Sequence, residues 1–373
     1  MTYPALMVLD RSFSVVGMID SYTSFQAERR LWEVGEMELH AGLLVPGADS
    51  LQVGNIITLI DGRAWEITEV TRSEGREGTV SATGGELKGV LRRRLVVPDK
   101  VNDQSYFGWD RFPALDQPDA PAESIIKHYV RKHAVQPEDP ARAFPLWSIR
   151  PDQGRGVKTR WSDRFKPVTE VLEDVGNFSG MGYTVTADFA SKCFWLDVIP
   201  EKEQTIGSDQ PICFSLDYEN IQSLSWQTGD QEQVTVAYAG GPGIDESRLI
   251  QQVWMDDESQ SLTGFDRYEH WLDLNSAEDV DDLEYEAKHE LSKLKKVDVI
   301  NCRALPNSTF SYLKDWDIGS VVTVQSNRLG IQQNKKITGV REVYERGRAD
   351  IDITFGIRRK NLIDEIKGLK RRP

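Results

Sequence analysis

The spacing of apolar residues in the first hundred positions constrains this chain most. Seven short segments, ALMVLD, SVVGMID, SFQAERRLW, EMELHAGLL, NIITLID, RAWEITEV and GTVSATG, tend to alternate apolar and polar residues, and Gly, Asp, Asn or Pro punctuates the gaps. Side chains on an extended strand point to alternate faces, so each such segment buries one face and wets the other. Many short strands joined by turn residues predict an antiparallel barrel or sandwich. The following segment, ELKGVLRRRLV, reads as a short helix that closes the set.

One of these stretches, RRLWEVGEMELH at 29–40, raises a question of chemistry. On a strand Glu36, Glu38 and His40 share one face, while Met37 and Leu39 take the other. Two carboxylates and an imidazole suit a metal or acid/base work. Same-face neighbours, however, lie about 7 Å apart, so the three converge on one ion only across a bulge. No fourth ligand is suggested nearby. A half-buried strand with a charged wet face is the simpler reading.

The 373 residues are enough for about two to four domains at roughly 100 to 200 residues each. The formal net charge of −14 repels polyanions, which argues against a nucleic-acid reader built on phosphate neutralisation. No apolar run approaches the ~18 residues that would cross a bilayer, so no stable membrane insertion is expected. The opening MTYPALMVLDRSFSVV lacks a basic region followed by a long apolar core, and synthesis and folding in a cytoplasm are expected. Cys193, Cys213 and Cys302 are scattered and odd in number, which predicts buried free thiols rather than a disulfide framework.

The segments divide the chain into an α+β, mostly β architecture. A first barrel spans 1–103 and is completed by about 211–240. An α+β insertion follows at 104–210, with helices in AESIIKHYVRKHAV and PVTEVLEDVGNF and strands GYTVTAD and CFWLDVIP. Linker strands and a long amphipathic helix fill 241–300. In SAEDVDDLEYEAKHELSKLKK the residues Val280, Leu283, Ala287, Leu291 and Leu294 form one stripe, and Ser276 with Asp279 makes a capping-box-like start. A second barrel occupies 301–357 and shares part of 241–275, and a basic tail ends the chain at 358–373. On the residues alone a duplicated barrel and a coincidence of two common hairpins stand level. LQVGNIITLIDGRAWEITEV at 51–70 and WDIGSVVTVQSNRLGIQQNKKITGV at 316–340 share an apolar residue, Gly, two β-branched residues, Thr, a turn and an I-T-x-V strand.

The remaining motifs carry little chemistry. His128 and His133 lie five apart and miss the i, i+4 face of a helical zinc site, so they read as surface or packing residues. MDDES and AEDVDDLE lack the alternating calcium-loop pattern. AGGPGIDES lacks both phosphate-loop signatures and reads as a turn. The run Arg92, Arg93, Arg94 either grips an acidic partner or supplies cations to a helix C-terminus. No catalytic, cofactor-binding or metal-ligating residue is assigned. Ten tryptophans are many for this length, and Trp and Arg anchor interfaces as well as cores.

Read in order, the segments resemble the siphophage tail-associated, or baseplate hub, proteins of long non-contractile tails. The resemblance rests on LMVLD, then an R-x-W-x-x-G-E-x-E-L block in RRLWEVGEMELH, then GNIITLIDGRAWEI with its G-R-x-x-x-I turn. It continues through GGELKGVLRRRLV and RYEHWLDL to a closing D-x-G-x-x-V-T-V block and an I-T-x-V-x-E-x-Y strand that ends in ITFG. The 104–165 region matches least. This family implies a homotrimer like the central hub of contractile tails, with two similar barrels per subunit adapting a sixfold tube to a threefold tip and closing the DNA channel. It implies a place at the virion tail tip, assembled in the bacterial cytoplasm beside a distal tail ring, a tape-measure protein and tip or receptor-binding proteins, with DNA only in transit. Arg29, Arg30, Trp32, Glu36, Glu38, Arg92, Arg93, Arg94 and Asp317 are the expected subunit-interface residues. Two alternatives stand beside this reading, a tail-tip peptidoglycan hydrolase using acids such as Glu36 and Glu38, and a host receptor-binding module. The chain stops soon after the last barrel, so lytic or adhesive work is expected in another chain.

Overall fold

The computed structural model describes residues 3–356, save 76–77, 103–104, 107, 115, 231–232, 306–307 and 346; the predicted basic tail lies outside them. The chain divides into two compact units, the first running to Leu224 and resuming over Asn301–Phe355, the second made chiefly of Ser225–Ile300.

The first unit begins with β1 (Leu6–Leu9), β2 (Val15–Ile19), β3 (Ser24–Arg30), β4 (Glu36–Gly42), β5 (Ile56–Thr58), β6 (Ala64–Ser73) and β7 (Thr79–Glu86). Alternation decides their facing. In β4, Met37, Leu39 and Ala41 are buried while Glu36 and Glu38 are exposed. The inward residues meet in a core where Phe25 packs edge-on against Trp65. The segment after β7 is a 3₁₀ run, Leu87–Arg93, rather than an α-helix.

The insertion contributes α1 (Ala122–Val130), β8 (Trp147–Ile149), α2 (Val168–Ser179), β9 (Gly182–Asp188) and β10 (Cys193–Ile199). β10 lies between β9 and β8, antiparallel to the first and parallel to the second. Both helices bury one apolar stripe, Ile125, Ile126 and Tyr129 from α1 and Val171, Leu172 and Val175 from α2, in the core that holds Phe194 and Leu196.

The chain then forms β11 (Lys202–Gln204), β12 (Cys213–Phe214) and β13 (Ile221–Gly229) before the second unit. That unit has a sheet of β14 (Val236–Gly240), β15 (Ile250–Trp254) and β16 (Glu269–Asp273), with α3 (Val280–Ser292). Ala237, Ala239, Val253 and Leu272 cluster with Leu283, Ala287 and Leu291. The helix is shorter than its sequence stripe, ending at Ser292 before Leu294, and Val280 at its start is 42% exposed. Asp279 caps it by accepting the Asp282 N–H at 2.8 Å, whereas Ser276 bonds Glu286 instead. The chain closes with β17 (Val297–Ala304), β18 (Ser320–Ser326), β19 (Ile331–Glu345) and β20 (Arg348–Phe355).

The strands of the large sheet run in the order β13-β17-β20-β19-β3-β4-β7-β6-β5-β1-β2, with β18 beside β19 and with β11 and β12 beside β18. This path is open, so among the described residues hydrogen bonding does not draw the two closed barrels expected from sequence. It does draw a repeat. One set reads β3-β4-β7-β6-β5-β1, and the other reads β13-β17-β20-β19-β18 followed by β11 and β12, with the strands taken in the same chain order. The matched hairpins β5–β6 and β18–β19 agree in detail. Gly54, at φ +92°, donates to the Ile67 carbonyl at 2.8 Å, and Gly319, at φ +87°, donates to the Ile337 carbonyl at 2.8 Å. Only a residue free of Cβ adopts that backbone readily. Each set also breaks register at the Thr of its I-T-x-V motif, between Ile67 and Glu69 and between Ile337 and Gly339. The sets differ where β1 runs antiparallel to β5 but β11 and β12 run parallel to β18.

Candidate assembly site

β3 is the strand on which both sets converge, since it pairs with β4 on one edge and with β19 on the other. The loop leaving β3 is fixed by one buried carboxylate. Glu86 accepts the Arg30 N–H at 3.0 Å and the Gly35 N–H at 2.8 Å, and its own N–H donates to the Gly35 carbonyl. Lys88, fully buried, lies 3.4 Å from Glu86 and donates to the carbonyls of Arg30 and Tyr183 with its ammonium over the Tyr183 ring. Burial pushes the Lys88 pKa down, against the pull of Glu86. Gly35 is required by space, because a Cβ there would sit 2.2 Å from the Glu28 carbonyl oxygen. Gly35→Ala is expected to cost about 1–3 kcal/mol as overpacking forces the backbone apart, measured as a lower urea midpoint.

The seam between the sets is polar and ionic. Arg29 on β3 donates to Asp317 at 2.7 Å and 3.3 Å and to the Tyr312 hydroxyl at 2.9 Å. Burial opposes the Arg29 charge, but Tyr312 and Asp317 more than offset it and its pKa rises. Arg63, in the β5–β6 turn of the first set, pairs with Glu342 on β19 of the second and with Asp61 at 2.8 Å. Glu342 is 4% exposed and also accepts the Tyr344 hydroxyl at 2.7 Å. Burial pushes the Tyr312 and Tyr344 hydroxyls up, keeping both protonated, Tyr312 as acceptor from Arg29 and Tyr344 as donor to Glu342. The dry Arg63–Glu342 pair and the half-exposed Arg29–Asp317 pair, each between residues far apart in sequence, hold one set against the other.

Comparison with known proteins agrees with the order of these motifs. The family model described as "Siphovirus ReqiPepy6 Gp37-like protein" matches residues 5–357. The chain belongs to this family. No curated protein matches it. Three solved structures share the fold of this Gp37-like chain at 11% identity each. The prophage MuSo2 43 kDa tail protein from Shewanella oneidensis has a TM-score of 0.57 over 94% of this chain and 98% of its own. The tail protein from Neisseria meningitidis MC58 has 0.55 over 95% and 96%, and the prophage tail protein gp18 from Listeria monocytogenes EGD-e has 0.53 over 99% of each. The Gp37-like chain thus belongs to a siphovirus family and shares the mostly β fold of these three tail proteins.

The other residues singled out from sequence are dispersed. Arg30 pairs with Glu28 at 2.5 Å, and Trp32 packs against α2 at Gly176 with its indole N–H buried and unpartnered. Glu36 is exposed, and Glu38 pairs with His40 at 2.8 Å on the wet face. Arg93 grips both oxygens of Glu66, at 3.0 Å and 2.6 Å. Arg92 is half-buried, and Arg94 stacks on Phe144. Of the thiols only Cys302 is buried, and Cys193 and Cys213 are half-buried. Sequence reasoning missed Arg63, Tyr312, Glu342 and Tyr344, although Arg63 is the Arg of G-R-x-x-x-I and Glu342 and Tyr344 are the E and Y of the I-T-x-V-x-E-x-Y strand.

His128 and His133, read from sequence as surface or packing residues, meet at one carboxylate. A π-helical turn, Arg131–Val135, follows α1 and sets residues five apart on one face. Both imidazoles then reach Asp110, at 3.4 Å and 2.5 Å, with Lys132 at 2.7 Å. Burial raises the Asp110 carboxyl, but the bonds from His128, His133 and Lys132 outweigh it and hold its pKa well below the usual range. That stabilisation is complete above the ordinary carboxylate pKa of about 3.9 and is lost as pH falls towards the folded value. Burial also lowers the His133 pKa, so acid favours the unfolded chain, where the imidazole takes its proton near pH 6.5. Asp110→Asn is expected to cost about 2–3 kcal/mol at pH 7 and to flatten the loss of stability that sets in below about pH 4, as read by thermal melts across pH.

Proposed function

We propose that this tail protein is a non-enzymatic hub of the tail tip. Three copies, each with two alike strand sets, make a ring of six alike surfaces that meets a sixfold tube on one side and a threefold tip on the other. The observation that carries this reading is the repeat itself, with its shared strand order, matched Gly54 and Gly319 bonds and matched bulges. In this reading each set completes a barrel in the assembled ring, and the seam of Arg29–Asp317 and Arg63–Glu342 holds the two at a fixed angle. The ring sits below a distal tail ring and the tip of a tape-measure protein, binds tip or receptor-binding proteins, and closes the channel until the genome leaves. The net charge of −14 favours a wall past which DNA slides without sticking.

Particle imaging tests it directly. A reconstruction of the tail tip is expected to resolve three copies around a threefold axis with both strand sets facing the channel. A single copy per particle, or a basic lumen, removes the reading.

A further inference from the structure

Among the described residues, two exposed features of the first unit meet no side chain of opposite charge. The first lies after β7. Arg94 donates to the carbonyls of Arg142 and Arg93, and Arg142 donates to the Leu95 carbonyl at 2.6 Å. Among the described residues neither guanidinium meets a carboxylate, although the chain carries 59 acids to 45 bases. The two cations repel each other, which works with burial to lower the Arg94 pKa. Phe144 stacks under Arg94 at 4.0 Å, and Leu95 and Leu146 are 41% and 40% exposed beside it in sequence. Leu146 holds φ +62°, a strained conformation for a leucine.

The second feature is the turn before β13. Leu216, Asp217, Tyr218 and Glu219 are all exposed, with Leu216 at 44% and Tyr218 at 56%. Asp217 accepts from the Asn327 amide at 2.7 Å, and among the described residues neither Asp217 nor Glu219 meets a lysine or arginine. The turn is rigid for its size, because Ser215 caps it and Asn220 ties it to the Cys213 carbonyl. It presents two acids and two apolar side chains, where the arginine patch presents two cations and two leucines.

We propose that the Leu216–Glu219 turn of one copy docks on the Arg94–Arg142 patch of the next. The contact is heterologous, joining the second strand set of one subunit to the first set of its neighbour, which is the kind that closes a ring. Asp217 and Glu219 neutralise the paired guanidiniums, and Leu216 and Tyr218 cover Leu95 and Leu146. Arginine is suited to this because its fork meets a carboxylate with two bonds, and Tyr beside Arg is the chemistry of interface anchors. This inference rests on the ring reading and names the contact that forms it.

Sedimentation of the full chain over a concentration series tests it. The wild type is expected to self-associate, and added salt is expected to weaken the association as it screens the contact. Arg94→Glu with Arg142→Glu is expected to weaken association by about tenfold or more, as is Asp217→Arg with Glu219→Arg, and the four changes together are expected to restore it to within about threefold of wild type. Far-UV spectra and melts matching wild type confirm that each variant folds, and the salt series on wild type stands even if one does not. A quadruple variant as weak as its parts, or association indifferent to salt, overturns the contact. A wild-type chain that stays monomeric overturns it too, and leaves the hub reading to particle imaging. A trimer that ignores all three variants overturns the contact while supporting the hub.

Discussion

Glu86→Ala is expected to lower the unfolding free energy by about 3–5 kcal/mol, the range for stripping one partner from a buried ion pair. The Arg30 and Gly35 N–H groups lose their acceptor, and the buried Lys88 ammonium keeps two carbonyls but loses its counter-charge. Glu86→Gln keeps an oxygen for the two amides and loses only the charge facing Lys88, so it is expected to cost about half as much. Lys88→Met is milder still, since Glu86 retains both backbone donors. Urea unfolding followed by tryptophan fluorescence ranks the three. An alanine variant no weaker than the methionine one would mean the loop after β3 does not depend on this carboxylate.

Glu342→Ala is expected to cost somewhat less, about 3 kcal/mol, because it leaves Arg63 with only the half-exposed Asp61 and the Tyr344 hydroxyl without its acceptor. Its consequence is more local. Arg63 is 12% exposed at its side chain and belongs to the first strand set, whereas Glu342 belongs to the second. The variant therefore loosens the junction of the sets before it unfolds either one. Arg29→Ala is the milder test of the same seam, because its partner Asp317 is 39% exposed and water takes over part of the bond. Hydrogen exchange at β3 and β19 is expected to accelerate in Glu342→Ala ahead of exchange in β6 and β7, and uniform acceleration would argue against a seam that opens by itself.

The strands of the first set were legible because a half-buried strand writes its period into the sequence, and β4 does so plainly through Met37, Leu39 and Ala41. The repeat was legible as a motif in one hairpin, yet its full strand order was not, since pairing of β13 with β17 and of β19 with β3 is decided by tertiary contact. The seam was half legible. Arg29 and Asp317 were both named as interface residues, but their union inside one chain depends on a register that joins positions hundreds of residues apart. The reading of His128 and His133 as surface or packing residues stands beside a shared carboxylate, Asp110, that the sequence did not reveal. The α-helical period was applied to His128 and His133 where the backbone takes a π-turn, and nothing local signals that turn. The long helix ends at Ser292, and Leu294, the last residue of its stripe, packs on the same core from just beyond the helix end.

The pairing of β3 with β19 also dictates the order of events during synthesis. Gln26 bonds Arg341 across this ladder, a separation of 315 residues. At about 5–20 residues per second a ribosome takes roughly 15–60 s to make the intervening chain. Throughout that time β3 leaves the exit tunnel with one edge bare, and the insertion and the second unit emerge before its partner does. An unpaired strand edge invites other chains. The nascent protein is therefore most open to misassembly, or to a chaperone, in the interval before its last strands arrive.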